Sequence, residues 1–171
     1  MDGDREARHL REDRERIVTS DKLWSFAIAL AAVAGAIAIL AVFAHDYPLT
    51  PATVPTHFGV TGAPDSYGPR STFILFPMLG GVLAAMAVAF WAFGTPSRND
   101  GRPVPSILPA IVVLIFAETT WMMFFVETGS FAVALGRATG LGSGVFVGVA
   151  IVLATSFVLL AVTLLAVRRP N

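Results

Sequence analysis

The sequence predicts an all-α integral membrane protein with four transmembrane helices and a structured extracellular first loop. Hydrophobic residues make up 55% of the 171-residue chain and charged residues 14%, too apolar a balance for a soluble fold of this size. Four nearly uncharged apolar runs, 24–44, 72–94, 107–126 and 145–167, contain 21, 23, 20 and 23 residues. About 20 helical residues, rising about 1.5 Å each, cross a hydrocarbon core roughly 30 Å thick. Lone strands would leave backbone groups unpaired in lipid, so each run is expected to be a helix.

Ahead of the first run, residues 1–22 carry six basic and seven acidic side chains. Asp4, Arg8, Glu12 and Arg16 alternate in sign at four-residue spacing, the pattern of a solvated helix. Thr19, Ser20 and Asp21 are capable N-caps, so a break is expected between this segment and the membrane domain at 23–171. The stretch 45–71 is rich in proline and glycine and is expected to be a loop, as is the shorter 95–106. Val42, Phe43 and Ala44 resemble a leader cleavage site, but a 21-residue apolar run exceeds the usual leader core of about 7 to 15 residues. A retained span is the expectation.

Basic residues set the expected orientation. Six precede the first run, Arg98 and Arg102 lie in the second loop, and Arg168 and Arg169 close the chain; only Arg70 and Arg137 fall on the other side. A division of ten against two places both termini in the cytoplasm of a multi-pass cell-membrane protein. Twelve basic and twelve acidic residues cancel, which gives no reason to expect a nucleic-acid partner. The absence of cysteine excludes disulfides, thiolate metal sites and thiol nucleophiles.

Within the spans, Glu118 stands out, because an ionisable group at that depth costs at least a few kcal/mol unless it faces protein or water. Its helical neighbours, Ile111, Leu114, Ile115, Trp121, Met122 and Phe125, are apolar. Thr155 and Ser156 are the polar residues at matching depth in the fourth run, and antiparallel packing is expected to bring them to Glu118. Two readings follow, a neutral acid hydrogen-bonded between helices and a proton-sensitive or ligand-binding carboxyl group. Glu127, at the end of the third run, reads as an interfacial charge. Gly136, Gly140, Gly144 and Gly148, like Ala27, Ala31 and Gly35, recur every four residues and allow close helix contact. They suit packing within the chain or a homo-oligomer seam.

The first loop mixes turn formers with His45, Asp46, His57 and Asp65. Their spacing matches no standard metal-ligand pattern and lacks a helix-borne His-Glu-x-x-His arrangement, so no cofactor is expected. A hydrogen bond between His57 and Asp65 across a folded loop is the preferred reading. No nucleophile elbow or phosphate-cradling glycine loop is present, and nothing positive points to catalysis.

Pro51, Val54, Pro55, His57, Phe58, Gly62, Asp65, Tyr67, Gly68 and Arg70 reproduce, with correct gaps, the signature of a membrane family called domain of unknown function 1648. The chain resembles this family, which includes the bacterial Sdp-type immunity proteins, from the first run through the second. Arg70 stands where lysine is commoner. The resemblance implies a small multi-span protein of the bacterial or archaeal cell membrane, and in its best-known relatives a role in protection against a secreted peptide toxin. Beside the lipid bilayer, an extracellular peptide is therefore the expected partner, met through the loop. The alternatives are a proton-coupled transporter or accessory subunit using Glu118, and a metal-dependent membrane enzyme using the loop.

Overall fold

In the computed structural model of the protein, the backbone is described for residues 2–94 and 107–167 and the side chains for residues 23–94 and 110–161. The expected loop 95–106, the terminal Arg168 and Arg169, and the side chains of the charged segment lie outside the described residues. Four helices, α1 (Asp2–Asp46), α2 (Leu75–Phe93), α3 (Ile107–Ala134) and α4 (Ser143–Val167), carry the fold. Between α1 and α2 stand a short 3-10 turn (Tyr47–Leu49), strands β1 (Thr53–Phe58) and β2 (Pro64–Pro69), and a second 3-10 turn (Arg70–Ile74). Four helical stretches are long and apolar enough to cross a membrane, the first two taking in the adjoining 3-10 turns: Leu23–Leu49, Arg70–Phe93, Ala110–Ala134 and Ser143–Ala161. The chain is a multi-pass membrane protein.

Three boundaries differ from the sequence reading, each for a local reason. α1 runs without a break through Thr19, Ser20 and Asp21. After Gly3 the next glycine is Gly35 and the first proline is Pro48, and Ser, Thr or Asp inside a helix costs only about 0.5 kcal/mol each relative to alanine. α3 extends two turns beyond residue 126, because its polar residues there bond to their own helix: Thr128 Oγ1 donates to the Phe124 carbonyl and Ser130 Oγ to that of Val126. The first loop is a two-stranded antiparallel hairpin with short 3-10 turns on either side.

α1, α2 and α3 pack against one another, while α4 rests on α3. Away from the hairpin the core is built from Ala29, Ala32, Ala84, Ala87, Val113 and Ala117. Small side chains let the backbones approach closely where lipid removes the hydrophobic drive between helices. Gly35 continues this seam, facing Thr120 and Trp121, and Trp121 Nε1 donates to the Ala31 carbonyl at 3.1 Å. Near the hairpin the core becomes aromatic. Phe73 and Phe131 meet edge to face with centroids 4.7 Å apart, and Val54 of β1 completes the cluster with Phe43, Tyr47 and Phe76 around it. Val54 lies outside the spans, where burying a side chain of this size stabilises by roughly 1.5–3 kcal/mol, so β1 is fastened to the bundle by Val54.

Candidate functional site

The hairpin owes its shape to its turn. Gly62 N–H donates to the Gly59 carbonyl at 2.8 Å, Gly59 N–H donates to that of Ala63 at 2.9 Å, and Gly62 has φ +79°. A type I turn closed by one residue in the left-handed region is a common three-residue hairpin connection, and glycine takes that position without strain. The register then slips twice: Pro55 pairs with Tyr67, His57 with Ser66 and Phe58 with Pro64. Thr56 and Asp65 are thus the extra residues of two bulges, which re-aim side chains. They flank His57, whose Nδ1 lies 2.5 Å from Asp65 Oδ1. The expected pair is present, and it is exposed: the side chains keep 70% and 52% of their accessible surface.

The signature residues therefore divide into two groups. Val54 and Pro55 are buried in β1, and Phe58 is half-buried. Gly62 is buried where a Cβ would lie 2.9 Å from the Leu141 carbonyl, and a Cβ on Gly68 would meet Thr56 at the same distance. These positions build and dock the hairpin. His57, Asp65, Tyr67 and Arg70 are exposed. Arg70 stands over the Tyr47 ring, 5.4 Å from its centroid, and the Tyr47 ring stacks on Phe43. Val60, at the tip, is fully exposed.

Two contacts tie the family-like segment to the turn between α3 and α4. Leu141 N–H donates to the Gly62 carbonyl at 2.8 Å, and Gly140 leaves no room for a side chain over the same peptide. Just past the end of α3, Gly136 has φ +68°, and there Gly136 N–H meets the Val133 carbonyl and Arg137 N–H that of Ala132. This glycine-terminated cap turns the chain sharply and aims Arg137 at α1. Arg137 Nη1 donates to both oxygens of Asp46, at 3.0 and 3.2 Å. Asp46, only 8% exposed, also meets His45 Nδ1 at 2.8 Å.

On the other side of α3, Ser156 Oγ donates to Glu118 Oε2, and Glu118 Oε1 is a buried atom without a hydrogen-bond partner. Both residues line a groove of about 180 Å³ bounded by Ile28, Ile111, Leu114, Leu159 and their neighbours. Thr155 does not join them. Its hydroxyl donates to the Ile151 carbonyl, four residues back, and faces outward. One residue along a helix is about 100° around it, so adjacent Thr155 and Ser156 cannot both face Glu118.

Residues 27–81 match the family described as "Domain of unknown function (DUF1648)". This segment belongs to the DUF1648 family. It comprises the apolar part of α1, the whole hairpin and the first turns of α2. No curated protein and no solved structure matches the chain. The exposed group His57, Asp65, Tyr67 and Arg70 lies inside the DUF1648 segment, whereas Glu118 and Ser156 lie outside it. Among the described residues no group of three or more His, Asp or Glu side chains gathers to hold a metal.

The glycine series resolves into separate tasks. Gly136 caps α3, Gly140 meets the hairpin, Gly148 lies against the Phe125 ring, and a Cβ on Gly144 would touch nothing. Sequence reasoning missed two features. Asp46 and Arg137, 91 residues apart, gave no signal beyond being single charges at run ends. Glu127, read from the sequence as an interfacial charge, is completely buried inside the protein. Its place on the face shared by Val113, Ala117, Thr120 and Phe131 was readable only with α3 extended past residue 126.

Proposed function

We propose that this protein lies in the cell membrane with both termini cytoplasmic and the hairpin outside, and that the exposed hairpin face recognises an extracellular peptide and protects the cell against it. The observation that carries this reading is the division of the DUF1648 signature. Its apolar and glycine positions are spent on building and docking the hairpin, and its His57–Asp65 pair, Tyr67 and Arg70 stay outside that packing. A polar and aromatic surface of this kind, held rigid before binding, loses little entropy when a ligand docks. The ten-to-two division of basic residues supports the orientation, and the likeness of the signature to Sdp-type immunity proteins supports the protective role.

The test is deletion of the protein followed by exposure of the cells to peptides secreted by neighbouring strains. Sensitivity that the parent chain restores is expected, and unchanged survival would reject protection. Orientation is checked separately in a chain without cysteine. A cysteine at Ser66 should react with an impermeant reagent in intact cells, whereas labelling at Ser97 would invert the topology.

A second reading rests on the groove between α1, α3 and α4, where Glu118 and Ser156 are the polar residues in an apolar lining. There the protein is a proton-coupled transporter or accessory subunit, and Glu118 carries the proton. Loss of uptake or efflux in Glu118→Gln, with insertion intact, would favour it over the hairpin reading.

A further inference from the structure

Glu127 follows Glu118 by nine residues, two and a half helical turns, so the two carboxyl groups point to opposite sides of α3. Glu127 is completely buried, and neither of its oxygens has a hydrogen-bond partner among the described residues. The hydroxyls on the same face are already used: Thr120 donates to the Phe116 carbonyl and Ser130 to that of Val126. α2 and α4 contain no titratable residue, and neither does α1 from Leu23 to Ala44. The acidic group that acts on Glu127 is Asp46, which is held by His45 and Arg137. Arg70, the remaining cation at this end, is engaged with Tyr47. His45 itself is three-quarters exposed.

An ionised carboxylate without donors in such a place costs several kcal/mol. A metal ion would need further ligands, and no cluster of three forms among the described residues. A proton needs no additional ligand and no cavity. We infer that Glu127 is a proton-binding site on the buried face of α3. Uptake of a proton from the medium converts the Glu127 carboxylate to the neutral acid, and no other bond changes. Loss of that proton places a second negative charge beside Asp46 in the contact between α1 and α3, so the bundle reads the acidity of the medium. This role is independent of peptide recognition and of Glu118.

Infrared difference spectra of the full chain in lipid nanodiscs, recorded between acidic and alkaline pH, test the assignment. The expected result is a protonated-carboxyl stretching band that titrates reversibly, is lost in Glu127→Gln and persists in Glu118→Gln, with its midpoint moved by Asp46→Asn. Should Glu127→Gln fold poorly, Glu127→Asp replaces it, with the band shifted in frequency. Retention of the full band in Glu127→Gln, or its loss in Glu118→Gln alone, overturns the assignment. Stabilisation by sodium or potassium ions that depends on Glu127 also overturns it, in favour of a cation site.

Discussion

The two sides of α3 are built differently. Toward α1, α2 and the hairpin, the helix presents Val113, Ala117, Thr120, Glu127 and Phe131 in full burial, and both long-range polar ties of the α3–α4 turn reach back to the DUF1648 segment. Toward α4 it offers an open groove, one hydrogen bond from Ser156, and glycine contacts at Gly129 and Gly148. Most of α4 from Ser143 to Ala161 faces outward. The DUF1648 segment and α3 thus form the firm body that holds the hairpin, and α4 is attached to it by few contacts.

The largest expected effect that sharpens this contrast is on the α4 side. Glu118→Lys should destabilise strongly, since a charge within a span costs roughly 2.5–3.5 kcal/mol even on lenient scales. Glu118→Gln keeps a partner for Ser156 and should stay within about 1 kcal/mol. Thermal unfolding in detergent distinguishes them, and equal losses would mean that the charge state of this position does not matter. Next in size is Gly148→Leu. Its Cβ would lie 2.8 Å from the Phe125 ring, and overpacking of this kind costs about 1–3 kcal/mol. The loss should separate α4 from α3 while leaving the hairpin protected from proteolysis; simultaneous release of the hairpin would show that α4 belongs to the firm body after all.

Much of this organisation is legible in the sequence, because lipid imposes a coarse rule: apolar length decides the spans, and the DUF1648 signature marks the loop. The His57–Asp65 pairing is readable from two glycines between polar partners, and Ser156 from its depth opposite Glu118. What escapes is what depends on three-dimensional register. The bulges at Thr56 and Asp65 leave no periodic trace, and Gly136 looks like one of a stripe until its positive φ is known. The end of α3 is hidden because Glu127, Thr128 and Ser130 resemble a span boundary, although hydroxyls satisfied by their own helix permit continuation.

On the hairpin side, Gly62→Ala should cost about 1–2 kcal/mol from its left-handed backbone alone, beyond the approach of its Cβ to Leu141. The expected outcome is a hairpin that is cleaved faster by protease in a bundle that still inserts. Unchanged cleavage would mean that the Gly62–Leu141 contact does not hold it.

The smallest effect on stability is expected where the largest effect on function is proposed. His57 and Asp65 are exposed, and an exposed ion pair contributes about 0–1 kcal/mol, so His57→Ala, Asp65→Ala and the double variant should all unfold close to the parent. Survival of cells carrying each variant under secreted peptides is therefore the most direct measurement of whether the hairpin surface carries the activity. Each single variant is predicted to lose protection, and the double variant to be little worse than either, as coupled partners require. A double variant that inserts normally and protects as well as the parent chain would contradict the account.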